Sequence, residues 1–400
     1  MTAMPPLPRA ITFGYLLALQ FFYAWAWSSS DILRPYFRTL YGLTLAEAGS
    51  AYSAQVIGAL AGALVAGRIE HRIGRRAALM LIAGGCGAAL LAGAWVATLT
   101  GLIAQRLCLG LFMGAVFPAT VGIVVDLFPA HQRGRLSSLV DGTYFVAVIA
   151  LGWASAAFLP GNWPLMFWPP AIGFALLVLA AHGIALPHRP EHRSARPQGA
   201  AALFAPGLAP RTLGLVGMIT LNASGHQIFS GWLTTYLTEV QGYGEAAIAA
   251  TLTAKYGGSI TGCFIWGWAA DRFGRRAGRF GMLAAAFCVL LFLFLPGPLW
   301  MRQLGAFLFG CGFSTIVTLG PWLAELYPPH LRASATAIFQ WGRCASLLAP
   351  LASGALAAQI GLTPVMALAA AAFAGAGLLW WILPETCARP LARPQVSPAR

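Results

Sequence analysis

Charge is what this sequence has least of. Only 9% of its 400 residues are Asp, Glu, Lys or Arg, against about a quarter in a water-soluble globule. A chain so poor in charge cannot cover a soluble surface with it. A composition that is 58% hydrophobic, with mean hydropathy +0.72, instead sets the outer face against lipid. Carboxylates are scarcest: 11 Asp and Glu stand against 25 Lys and Arg, for a net charge of +14. Lysine is nearly absent. Lys255 is the one example, and every other fixed cation is arginine. The arginines form no basic stripe with interleaved aromatics, which excludes nucleic acid as the partner of this charge. The seven cysteines contain no Cys-x-x-Cys pair and no metal-like spacing with histidine, so neither disulfides nor a metal or cofactor site is expected. A Gly-Lys-Ser/Thr phosphate loop is missing, which excludes ATP as the energy source, and no Gly-x-Ser-x-Gly nucleophile turn points to an enzyme. The start, Met1 to Pro6, is unlike a cleavable signal peptide, and the first apolar run is long enough to remain in a bilayer.

What the chain does have is a succession of apolar runs of the length needed to cross about 30 Å of hydrocarbon, roughly 20 residues each. They predict about twelve spanning helices near 11–36, 46–67, 77–97, 101–127, 136–159, 164–186, 212–238, 245–269, 280–296, 299–325, 334–358 and 362–383. The runs lack the period-two alternation of barrel strands, so helices must satisfy the backbone in lipid. Arg68, Arg72, Arg75, Arg76, Arg133, Arg135, Arg272, Arg275, Arg276, Arg279 and Arg332 fall in loops on one side if both termini are cytoplasmic, whereas the opposite loops carry little beyond Arg34 and Arg38. The expected organisation is a six-helix bundle over 1–187, a polar linker over 188–211, a second six-helix bundle over 212–384 and a cytoplasmic tail over 385–400, monomeric in the inner membrane of a bacterial cell.

The two bundles are copies. Gly67-Arg68-Ile69-Glu70-His71-Arg72-Ile73-Gly74-Arg75-Arg76 recurs as Gly267-Trp268-Ala269-Ala270-Asp271-Arg272-Phe273-Gly274-Arg275-Arg276, at an offset of 267 − 67 = 200. Asp126-Leu127-Phe128-Pro129 recurs as Glu325-Leu326-Tyr327-Pro328, at 325 − 126 = 199. Both copies lie on one side of the membrane, so the repeats run parallel about an axis along the membrane normal. Within the repeat, Gly74 and Gly274 allow a tight reversal, and the arginines anchor it at the lipid boundary. The signature resembles that of the major facilitator superfamily, as does Arg106 with Gly110, Gly114 and Pro118. The resemblance implies a fold of twelve transmembrane helices in two pseudo-symmetric bundles. It also implies a gating role for Gly67, Arg72, Gly74, Arg75, Asp271, Arg272, Gly274 and Arg275, and a part in proton coupling for Arg106. The first copy departs from the pattern: His71 stands where the family has Asp, and Glu70 beside it lies about 100° around the helix.

An ionisable residue at membrane depth is costly and therefore a candidate for function. Asp31, Arg106, Asp141, His226, Lys255, Arg302 and Arg343 are such residues. Lys255, opposite Gln55 in the repeat (255 − 55 = 200), calls for an anion: the substrate, or a carboxylate such as Asp31 or Asp141. Arg343 offers a planar fork that matches a carboxylate. Tyr23 and Trp27 share a face four residues apart and suit a ring-bearing or short aliphatic acid, with His226 as a cavity residue or proton carrier. Asp141, two turns inside helix 5, is a candidate to bind and release a proton, burial and a neighbouring cation pulling its carboxyl in opposite directions. Asp31 is another candidate, although its place three residues before Arg34 reads first as a surface pair. The string from Glu325 through Arg332 to Arg343 and Pro350 resembles the metabolite:proton symporter branches. The expectation is a secondary transporter that takes up a small organic anion, such as a monocarboxylate, with protons. The competing expectation is proton-driven efflux of drugs or metabolites. The Gly-Pro-rich stretch that efflux antiporters carry in helix 5 is missing from Ile149 to Ala156.

Overall fold

The computed structural model of the protein describes residues 6–128, 130–159, 161–186, 200–327 and 346–386, with the isolated positions 331, 338 and 344. Among the described residues there are helices and turns and no strands. In chain order the helices are α1 (Pro6–Ile32), α2 (Arg34–Tyr41), α3 (Leu45–Ile73), α4 (Arg75–Gly93), α5 (Leu99–Met113), α6 (Val116–Leu127), α7 (Ala130–Phe158) and α8 (Trp168–Ala180). The second half has α9 (Ala209–Phe229), α10 (Leu233–Thr235), α11 (Glu245–Phe273), α12 (Gly278–Phe294), α13 (Leu299–Phe313), α14 (Leu319–Leu326), α15 (Ala349–Ile360) and α16 (Leu362–Ile382). Seven stretches among the described residues are each long and apolar enough to cross a membrane. Several of the passes are broken or polar. The first bends at Leu33 just before Pro35, the fourth at Gly114–Ala115, and the tenth through the 3-10 turn Ser314–Thr318. α11 has the length, 29 residues or about 44 Å, but threonines, glycines and Lys255 lower its hydropathy. The eleventh pass is described chiefly over α15. Exposed apolar side chains such as Leu64, Phe264, Trp268 and Ile382 form the lipid-facing surface.

The repeat seen in the sequence is built into the packing. α3 packs on α5 as α11 packs on α13. The contacts are backbone against backbone. A Cβ on Gly58 would strike the Leu107 carbonyl, and one on Gly258 the Phe307 carbonyl. Gly62 meets Leu111 as Gly262 meets Cys311, and Gly110 meets Gln55 as Gly310 meets Lys255. Every one of these pairs is related by an offset of 200 residues (310 − 110, 255 − 55). Small residues let the helices approach to this distance, and in lipid such contact is what holds helices together.

Part of the stretch expected as linker is ordered. A 3-10 turn at Ala200–Phe204 buries Leu203, whose carbonyl accepts a 2.6 Å hydrogen bond from Thr212 Oγ1. α9 therefore begins at Ala209, three residues before the expected 212. Residues 187–199 and 387–400 lie outside the described residues.

Candidate functional site

The motif end is held by matched ion pairs. At the turns Gly74 and Gly274 take φ of 82° and 93°, the left-handed region where a side chain is strained. Arg275 Nη2 pairs with Glu325 at 2.8 Å and Nη1 with Asp271 at 3.1 Å. Hydrogen bonds to Glu325 outweigh desolvation and hold the Arg275 guanidinium above its ordinary pKa. Glu385 accepts the backbone N–H groups of Arg275 and Arg276, each at 2.9 Å. Arg76 donates to the Ile184 carbonyl and Arg276 to the Leu383 carbonyl, both at 2.9 Å. Arg72 and Arg272 are exposed, and Gly67 has open space around its Cα.

In the first copy Arg75 pairs with Asp126 at 2.9 Å and with Glu70 at 3.2 Å. Glu70 thus supplies the carboxylate that His71 cannot. Its extra methylene spans the rotation that separates it from the motif position, while His71 is exposed. Glu70→Ala is expected to lower the melting temperature by about 2 °C or more, with His71→Ala indistinguishable from the native protein. Equal melting curves for the two variants would remove Glu70 from this role.

The opposite end joins the halves. Asp31 Oδ1 accepts from Arg34 Nη2 at 2.6 Å and from Gln227 Nε2 at 3.3 Å, and the Asp31 carbonyl accepts from Thr234 Oγ1 at 2.8 Å. Arg34 Nη1 donates to the Gly231 carbonyl, and its guanidinium lies 4.4 Å from the Trp232 ring. Arg38 pairs with Glu239. Further bonds across the halves run from Ser53 Oγ to the Leu347 carbonyl at 2.7 Å and from Trp153 Nε1 to Thr253 Oγ1 at 2.9 Å. The Asp31–Arg34 pair expected at the surface is drawn inward instead, with Arg34 only 1% exposed and Asp31 half-buried. It lies on the seam between the halves, because α2 packs against α10.

Between the two ends lie the buried cations. Lys255 is 1% exposed and sits about 15 Å into α11. Its Nζ lies 3.3 Å from Tyr256 Oη and 4.4 Å from the centre of the Tyr256 ring, with the Phe309 ring at 6.0 Å. Among the described residues no carboxylate pairs with it; Asp31 is within electrostatic range but is held by Arg34. Arg106, fully buried, donates through Nη1 to Ser29 Oγ at 2.8 Å and to Gln55 Oε1 at 3.3 Å. Gln55 in turn donates to the Trp27 carbonyl at 3.2 Å. Arg106 is thus braced between α1 and α3, while Lys255, at the Gln55 position of the other repeat, points its charge at aromatic rings. Tyr23 stacks on Trp27 at 5.9 Å, and Trp27 meets Tyr52 edge-on at 6.0 Å. Phe145 of α7 lies 6.0 Å from Tyr256 of α11, across the seam, and His226 lies 4.6 Å from the Phe313 ring.

Of the expected site residues, Gln55, Arg106 and Trp27 come together in one half. Lys255 stands in the other with Tyr256. His226 sits against Phe313, apart from Lys255's hydrogen bonds. Arg302 serves the fold, capping the Phe292 carbonyl at 2.8 Å. Arg343 and the Asp141 side chain lie outside the described residues, although the backbone of residue 141 belongs to α7. Arg34, Gln227, Tyr52 and Tyr256 were not foreseen. The available signal for Arg34 was its isolation, a cation in a loop otherwise nearly free of charge.

The arrangement offers fixed positive charge at mid-depth, aromatic surfaces beside it and a seam closed at one end. A sequence profile described as Major Facilitator Superfamily matches residues 16–346. A probable 4-methylmuconolactone transporter of Cupriavidus pinatubonensis is 26% identical over 390 residues, spanning 90% of this chain and 88% of that protein. A 3-(3-hydroxy-phenyl)propionate transporter of Escherichia coli is 29% identical over 357 residues, 86% of each chain. Among solved structures, a D-xylose-proton symporter superposes with a TM-score of 0.75 at 17% identity, over 96% of this chain and 99% of the other.

Proposed function

The chain belongs to the major facilitator superfamily, a family of multi-pass membrane transporters rather than enzymes, and on that premise we propose that it carries a small ring-bearing organic acid into the cell, with protons, by alternating access. The observation that supports this most is Lys255: an ammonium buried at mid-depth, surrounded by aromatic rings and without a carboxylate partner among the described residues. An unpaired buried cation is unstable, so a substrate carboxylate completes it. Tyr256, with Tyr23 and Trp27 on the facing half, supplies flat apolar surface for a ring. Arg343, in the apolar run predicted as the eleventh span, is a second candidate for the carboxylate. The relatives that transport a methylmuconolactone and a hydroxyphenylpropionate support a substrate of this class.

The arginine-rich end is assigned to the cytoplasm, because short loops rich in arginine stay on that side; both termini and the tail then lie inside, and the bilayer is the bacterial inner membrane. Bonds from Asp31, Arg34 and Arg38 to the other half would then close the outside. Asp31 is the proposed proton carrier, with Asp141 as a second: a proton on Asp31 removes the charge that holds Arg34 and Gln227 and so loosens the outer seam. Arg106 positions Ser29 and Gln55 behind it.

Uptake of labelled aromatic and aliphatic acids into proteoliposomes tests the proposal. Accumulation is expected when the outside is acidic, and release from preloaded vesicles when the gradient is reversed. In Asp31→Asn, gradient-driven accumulation should fall at least about tenfold while exchange of labelled for unlabelled acid persists. Wild-type accumulation in that variant would exclude Asp31 as the carrier, and export against an unchanged gradient would favour efflux over uptake.

A further inference from the structure

A small cavity with room for about one water-sized particle lies between α1, α2, α3 and α5, lined by Ser30, Arg34, Phe37, Leu102 and Arg106 among others. Two guanidiniums in one such space, 1% and 0% exposed, are an unusual investment of charge. Their hydrogen-bonding accounts leave a remainder. Arg34 commits Nη1 to Gly231 and Nη2 to Asp31, and Arg106 commits Nη1 to Ser29 and Gln55. Arg34 Nε, Arg106 Nε and Arg106 Nη2 are buried nitrogens with no acceptor among the described residues. The charge leaves a remainder too: among the described residues two cations face one carboxylate, Asp31, which leaves one positive charge over. A buried N–H without an acceptor and a buried charge without a counter-charge each carry a penalty, and one occupant can remove both.

We propose that this cavity is a binding site for a small monovalent anion of the chloride type, held between Arg34 and Arg106. A water molecule could accept from the nitrogens but would leave the charge. A carboxylate would supply charge but needs more room than the cavity offers, which separates this site from the substrate position at Lys255. Apart from Ser30, the rest of the lining, which includes Phe37, Leu43 and Leu102, is apolar and suits a weakly hydrated halide. The site does not depend on the acid-transport reading, since it concerns binding to the resting protein. Because Arg34 also bonds Gly231 of the other half, an anion here would steady the outer seam.

The test is the thermal stability of the purified protein as chloride or bromide replaces gluconate at constant ionic strength. A saturable rise of about 2–4 °C is expected once the halide exceeds its dissociation constant about tenfold. Leu102→Phe, which fills the cavity and keeps both arginines, should abolish the rise, as should Arg106→Gln. Should either variant fail to fold, bromide-soaked crystals of the native protein decide, with an anomalous peak expected within hydrogen-bond reach of Arg106. A melting temperature indifferent to halide, a halide effect unchanged in Leu102→Phe, or bromide found only at the surface would overturn the proposal.

Discussion

Lys255→Met is expected to weaken acid binding by about 100-fold to 1,000-fold while leaving the protein as stable as before or more so. The two halves of this expectation come from one cause. In the unloaded protein the ammonium is buried without a carboxylate partner among the described residues, and Tyr256 and Phe309 compensate it only through their π faces. Such contacts contribute about 0.5–2 kcal/mol, less than the several kcal/mol needed to take the ion out of water. Methionine fills nearly the same volume without that cost. When the acid is bound, the balance reverses. Its carboxylate would be buried against a thioether, and removing one member of a buried ion pair costs about 3–5 kcal/mol; the lower part of that range, about 3–4 kcal/mol, corresponds to the stated loss in affinity. Lys255→Arg should retain part of the binding, because the charge remains but the fork fits the space of a single ammonium less well. Melting curves and acid-binding isotherms on the same preparations check both halves together. A variant that lost binding only because it had lost its fold would show the opposite sign in the melting curve.

The second large effect concerns two adjacent glycines. Gly258→Ala should destabilise the protein severely, and Gly257→Ala should not. A Cβ on Gly258 would be driven into the Phe307 carbonyl of α13, whereas one on Gly257 meets nothing within 4 Å. Backbone atoms cannot swing aside as a side chain can, so α11 and α13 would have to separate along their length, with the contacts at Gly262 and Gly310 lost as well. A loss of about 3 kcal/mol or more is expected from overpacking on this scale, read as a low yield of monodisperse protein or a collapse of the melting temperature. The neighbouring substitution removes a flexible residue from a helix and is expected to be neutral or mildly stabilising, by up to about 1 kcal/mol. The same severe loss should appear one repeat earlier in Gly58→Ala, against the Leu107 carbonyl.

Those glycines explain why so much of the fold could be read in advance. An offset of 200 residues recurs in the loop signature, in Gln55 and Lys255 and in the glycine contacts at Gly58, Gly62 and Gly110, so a sequence repeat and a structural repeat are the same fact. Apolar run length fixes where the chain crosses lipid, and arginine placement separates the two ends. What periodicity cannot give is how the halves meet. Asp31 and Arg34 are three residues apart, and a local pair was legible; that the pair is drawn inward onto the seam, with Gln227 and Gly231 completing it, depends on contacts across 196 and 197 residues. Asp31 was one of two carboxylates offered for Lys255, and it is engaged by Arg34; the side chain of the other, Asp141, lies outside the described residues. Glu70 shows the limit of reasoning from helix rotation alone: the angle between neighbouring Cα positions is about 100°, yet a glutamate side chain is long enough to deliver its carboxylate to Arg75.

Equilibrium binding of 3-phenylpropionate and of its neutral amide to purified wild-type protein and Lys255→Met tests the central claim most directly. Saturable binding of the acid, no binding of the amide and loss of the acid's advantage in the variant are the expected results. Amide and acid bound alike, or an acid isotherm untouched by Lys255→Met, would contradict the assignment of the buried ammonium to the substrate carboxylate.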